Sequence, residues 1–112
     1  LAIAVLTKVY RNTIDEMMQV CGYSEAEIDY LRMRPDLQTI GGLIQNILLA
    51  AYSLSYGSCW LTGPNFARHE LEHLLNISHP WSLAAIIAIG RVGKEPGNKK
   101  IKPLDNVLEF IR

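Results

Sequence analysis

The 112 residues are 49% hydrophobic and 20% charged, within the ordinary range for one soluble globular domain and long enough to bury a core without metal or disulfide staples. Eleven basic residues against eleven acidic ones leave no net charge, which excludes a surface field suited to nucleic acid. Cys21 and Cys59 form no Cys-x-x-Cys pair, and the longest apolar runs, Leu1–Leu6 and Leu83–Ile89, fall far short of the ~20 residues that span a bilayer. A cytoplasmic setting with no membrane partner is therefore expected.

Leu1–Val9 reads as a strand covered on both faces, because it is a short continuous apolar run containing Ile and Val. Thr13 and Glu16 have the spacing of a capping box for a helix ended by Gly22, and Ser24 with Glu27 repeats it for a second short helix that stops before Pro35. From about Asp36 to Ser55 the spacing of Ile40, Leu43, Ile44, Ile47, Leu48, Ala51 and Leu54 predicts a long helix. Leu49, Ala50 and Tyr52 make it apolar nearly all round, so it is central or sits at a subunit interface. Gly41 and Gly42 cost such a helix about 1 kcal/mol each against Ala, which implies an irregular first turn or a close neighbour. Gly57 is expected to end it.

Ser58–Leu61 reads as a short strand, Thr62–Asn65 as a turn, and Asn65–Leu75 as a helix. Trp81–Gly90 reads as a second strand covered on both faces, with Ile86, Ile87 and Ile89 supplying the β-branched content. Lys94–Lys102 is a polar, basic loop, either simply solvated or able to grip one small phosphate, and Pro103–Arg112 is either a helix or an extended arm. Two or three strands with helices between them make the class α+β, or α/β-like, in a single domain spanning 1–112. The apolar opening at Leu1 reads as a start inside a fold, expected either where a leader is removed or where the N-terminal part of a longer chain is missing.

The stretch from Gly41 to Gly90 carries a helix of pattern Q-N-x-x-L-A-A, then G-S-C-W-L-T-G-P, then a strand ending I-A-I-G. It resembles the FMN-dependent nitroreductase family, and KKIKPLDNVLEFI resembles that family's closing segment. The resemblance implies the C-terminal portion of a nitroreductase-like sheet flanked by helices, with the long helix at a dimer interface. It implies a homodimer that moves hydride from NADH or NADPH through FMN to nitroaromatics, quinones or a similar small-molecule acceptor. It places Trp60, Leu61, Thr62 and Gly63 beside the flavin ring, with backbone N–H groups near its N5 and O4, and Lys99, Lys100 and Lys102 at the phosphate. Two departures stand out. Ile101 occupies a position where the family commonly has Arg, and the family's Arg-x-Ser-x-Arg segment is absent from these residues.

A rival motif lies at His69-Glu70-Leu71-Glu72-His73, a literal H-E-x-x-H with His79 where a third ligand belongs. Two His one helical turn apart bind zinc from one face, and Glu70 would polarise the metal-bound water of a metallohydrolase. The same residues also fit an amphipathic helix with Leu71, Leu74 and Leu75 inward and His69, Glu72 and His73 outward. The downstream Met-turn is lacking, since Met17, Met18 and Met33 all precede the motif. A non-catalytic dimeric remnant is a third reading. Cys59 is expected to be a small buried residue rather than a nucleophile.

Overall fold

The computed structural model describes residues 1–94 and 97–111. Three strands form one sheet in the order β1-β3-β2: β1 is Ala2–Thr7, β2 is Tyr56–Leu61 and β3 is Ser82–Arg91. Both pairings are antiparallel, with Ile3 opposite Ile87 and Trp60 also opposite Ile87. Between β1 and β2 come α1 (Thr13–Val20), α2 (Glu25–Arg32) and α3 (Pro35–Ser53). Between β2 and β3 come a 3-10 turn, Gly63–Ala67, and α4, Arg68–Leu74. The expected α+β class is what the chain adopts.

Val5, Ala85, Ile87 and Ile44 are the centre of the core, with Ile3, Ile40, Ile47, Leu48 and Ile89 packed around them. The odd-numbered positions of β1 and β3 thus face α3, as period-2 alternation requires. The expectation that both strands are covered on both faces holds for one face only among the described residues. Ala2, Ala4 and Cys59 are exposed and Ala84, Ile86 and Ala88 are half-buried on the other. An unbroken apolar run gives both faces the same composition, so it does not tell the face that packs on α3 from the one left open. The same geometry corrects the expectation of a buried Cys59: it stands opposite Ala88 on the open face.

α3 is regular through Gly41 and Gly42, so the close-neighbour alternative is the right one for Gly41. A Cβ there would lie 3.7 Å from Cη2 of Trp60. The helix ends at Ser53, with Leu54 as its C-cap and Ser55 in the left-handed region at φ 61°. Gly57, expected to stop it, lies inside β2 instead. Leu43, Leu49 and Tyr52 are left exposed.

The cap of α1 lies one residue earlier than expected. Asn12, not Thr13, is the N-cap: its side chain accepts from the Ile14 and Asp15 N–H groups, and Asp15 accepts from the Asn12 N–H at 2.6 Å. Asn outranks Thr at that position because its amide oxygen reaches the free donors more readily. The Ser24–Glu27 box forms as expected, with Glu27 accepting from the Ser24 N–H at 2.8 Å. Two buried carboxylates then join these short helices to the rest. Arg32 on α2 donates to Asp15 on α1, and Arg34 grips both oxygens of Asp36 at the start of α3. Each guanidinium holds its partner carboxyl below the ordinary range, chiefly through hydrogen bonding.

The segment after β3 stands away from the body. Residues 97–111 are all exposed and carry a single 3-10 turn, Leu104–Asn106, so the extended-arm alternative applies to the described part of Pro103–Arg112. The radius of gyration is 18.2 Å, against about 13 Å for a compact domain of this length. Residues 95, 96 and 112 of the two C-terminal segments lie outside the described residues.

Candidate functional site

Four chain segments meet at one end of the sheet. β1 leaves it at Thr7 and β3 enters it at Ser82, its register partner. β2 ends there at Leu61, opposite Ile86, and α3 starts nearby, since its Gly41 packs on Trp60. The indole of Trp60 therefore braces β2 against α3, while Leu61 points to the opposite face and is half-buried. Thr62 and Gly63 follow, both exposed, at the entry to the 3-10 turn.

Pro64 near the start of that turn has no N–H to lose and a φ already suited to it. The Asn65 N–H closes the turn on the Thr62 carbonyl at 3.0 Å. Among the described residues the N–H groups of Thr62 and Gly63 donate to no acceptor of the chain. Nothing lies within 4 Å of where a Cβ on Gly63 would sit. The turn thus presents two backbone donors beside open space.

The predicted helix over Asn65–Leu75 is split into the 3-10 turn and α4, because residues 63–67 must stay alongside β3 past the end of β2. Asn65 Nδ2 donates to the Ala84 carbonyl at 2.8 Å, and Glu72 accepts from the Leu83 N–H at 2.7 Å. Glu72 was expected to face outward, yet it is turned in, with Arg68 and His69 at 3.8 and 4.0 Å from its oxygens. Of the leucines expected inward only Leu71 is half-buried, and Leu74 and Leu75 are exposed. The amide oxygen of Asn65 is buried without a partner among the described residues.

The second group of expected site residues lies apart from the first. Lys99, Lys100 and Lys102 are exposed, as is every described residue of the arm from 97 to 111. The structure brings Trp60, Leu61, Thr62 and Gly63 together but does not bring the lysines to them. The histidines of the rival motif, His69, His73 and His79, are all exposed. Among the described residues no three His, Cys, Asp or Glu side chains are grouped as a metal site requires.

Sequence reasoning missed a cleft of about 870 Å³ at this same end of the sheet. Lys8 and Tyr10 of the β1 exit, Thr39 and Ile40 of α3, and Trp81 before β3 line it, and the Lys8 ammonium lies 5.5 Å from the centre of the Trp81 ring. Its walls come from three separated stretches, so no local pattern announces it.

The nitroreductase family model matches residues 16–91. The chain belongs to the nitroreductase family. Its structure is similar to that of a BluB-like flavoprotein from Clostridium difficile 630, with 31% identity and a TM-score of 0.85 over 99% of this chain and 53% of that one. A nitroreductase-like family protein from Bacillus cereus shares the fold at 19% identity and TM-score 0.68, over 98% of this chain and 50% of that one. A nitroreductase family protein from Streptococcus pneumoniae TIGR4 does so at 22% and 0.62, over 83% and 44%. The chain spans about half the length of these solved structures. No helix among the described residues is long and apolar enough to cross a membrane.

Proposed function

We propose that this chain forms the C-terminal portion of an FMN-dependent oxidoreductase that moves hydride from NADH or NADPH to nitroaromatics, quinones or related small-molecule acceptors. The reading extends to a cytoplasmic homodimer. One observation supports it most: in a chain of this family, the turn after β2 offers two unsatisfied N–H groups beside the open side of a glycine. That donor set suits the acceptor edge of an isoalloxazine ring.

Bound FMN would supply the hydride chemistry, and the protein would supply position and electrostatics. Reduction raises electron density near the N5 and O4 edge of the ring. Fixed donors at Thr62 and Gly63 would stabilise that density without a side chain having to reorganise. Gly63 would let the ring lie against the backbone, where any Cβ intrudes. Trp60 and Leu61 would hold the turn still from opposite faces of the sheet. Lys99, Lys100 and Lys102 would neutralise the phosphate as point charges, without the two-pronged grip of Arg. Because the arm that carries them stands off the sheet, it reaches a phosphate either by folding back or from a second copy. Its exposed Ile101, Leu104, Val107, Phe110 and Ile111 supply the apolar surface that such a contact would cover.

The test is an FMN titration of the purified protein followed by absorbance, with zinc determined on the same sample. Flavin bands that shift on binding, weakened in Gly63→Val at unchanged helix content, are the expected result. Zinc at one per chain with no flavin shift would overturn the reading in favour of the metallohydrolase.

A further inference from the structure

β3 carries an irregularity that the flavin reading leaves unused. Val5 pairs with Ala85 and Leu6 with Leu83, so Ala84 is an extra residue with no partner on β1. On the other side β2 has already ended opposite Ile86. Ala84 itself thus lacks a ladder partner on both sides, and Leu83 lacks one on the β2 side, where a buried N–H or C=O left unpaired costs about 1–3 kcal/mol.

Two side chains from the segment after the Thr62–Gly63 turn fill the place of the missing strand. Asn65 donates to the Ala84 carbonyl, and Glu72 accepts from the Leu83 N–H. The Glu72 bond is charge-assisted and short, and its carboxylate is 17% exposed. Asn65 is two residues past Gly63, so its amide fixes the far end of the turn as β2 fixes the near end.

We propose that Asn65 and Glu72 are positioning residues: they clamp the turn to the bulge at Ala84 and thereby set where the Thr62 and Gly63 N–H groups point. This inference rests on the flavin reading for its consequence, but not for the clamp itself. The clamp also accounts for the local structure. The chain runs as a 3-10 turn before α4 because Asn65 and Glu72 must both reach β3, which keeps residues 63–67 alongside the strand.

The test uses Asn65→Ala, Glu72→Ala and the conservative Glu72→Gln, whose amide oxygen can still accept from Leu83. Amide hydrogen exchange reads the clamp directly. The Leu83 amide is expected to lose protection in Glu72→Ala and regain most of it in Glu72→Gln, while the amides of residues 65–67 exchange faster in Asn65→Ala. FMN affinity, measured by absorbance well below the unfolding temperature, is expected to fall about tenfold in either alanine variant, the effect of losing one good hydrogen bond's orientation, and to recover in Glu72→Gln. Unchanged exchange at Leu83 and at residues 65–67 overturns the clamp. Altered exchange with unaltered FMN affinity overturns the positioning role and leaves the two residues purely structural. A wild-type protein that takes up no FMN refutes the flavin reading instead, and the exchange data still decide the clamp.

Discussion

Gly41 and Gly42 sit side by side in the interior of α3 but meet different surroundings, which makes them a probe of what the helix packs against. A Cβ on Gly41 would meet Cη2 of Trp60 at 3.7 Å, an ordinary van der Waals separation, and one on Gly42 would meet nothing within 4 Å. Replacing an interior helical Gly with Ala stabilises by about 1 kcal/mol through reduced backbone entropy in the unfolded chain. Gly41→Ala should therefore raise stability by about that amount, or roughly 4–8 °C in Tm for a domain of this size. Gly41→Leu should lower it, because further atoms in that direction displace the indole that braces β2. Gly42→Ala should match Gly41→Ala in an isolated chain. Where a second copy lies on that face, Gly42→Ala should instead weaken association. Urea unfolding followed by tryptophan fluorescence at two protein concentrations separates these cases. A loss of about 1 kcal/mol or more in Gly41→Ala, at both concentrations, would refute the placement of Trp60 over α3.

The remaining expectations follow from the core, the ion pairs and the arm. Ile44 is fully buried beneath the sheet, so Ile44→Ala should cost about 2–5 kcal/mol in denaturant unfolding. Asp15 and Asp36 are held below their unfolded pKa by Arg32 and Arg34, so the native state binds fewer protons than the unfolded one at mildly acid pH. Their contribution is present above the unfolded carboxylate value of about 3.9 and is lost as pH falls through the folded one. The urea midpoint should therefore hold from pH 7 to about pH 5 and drop as pH falls below about 4, and Asp36→Asn should flatten that drop. Changing Lys99, Lys100 and Lys102 together to Ala should weaken FMN binding and its salt dependence while leaving Tm within about 2 °C, since exposed residues that pack on nothing add little stability; an unchanged affinity would place the phosphate elsewhere.

What the sequence disclosed and what it withheld divide along a physical line. Elements whose signals are local were readable: the Ser24–Glu27 cap, the long apolar helix over Pro35–Ser53, and the strand from Ser82 to Arg91. The G-S-C-W-L-T-G-P order was also readable and led to the turn at Thr62–Gly63, because a glycine and a proline fix a turn wherever they fall. Features made by distant residues were not. Glu72 looks like one more charge on a solvated helix, yet it accepts from the Leu83 N–H at the point where β2 has already ended opposite Ile86. Asp15 looks like a first-turn acid, yet it is buried because Arg32 arrives from the next helix. Cys59 reads as a buried residue in an apolar strand, and its exposure follows from the uncovered second face of the sheet. That face bears directly on the proposed site. Among the described residues, a three-stranded sheet with two free edges and one bare face leaves much apolar surface in water, including Leu43, Leu49 and Tyr52 on α3. Surface of that kind is stable only when covered. The solved structures that share this fold are about twice as long as this chain. The Thr62–Gly63 turn lies at the end of that same sheet, so its two N–H groups, which find no acceptor among the described residues, open onto the same apolar surface.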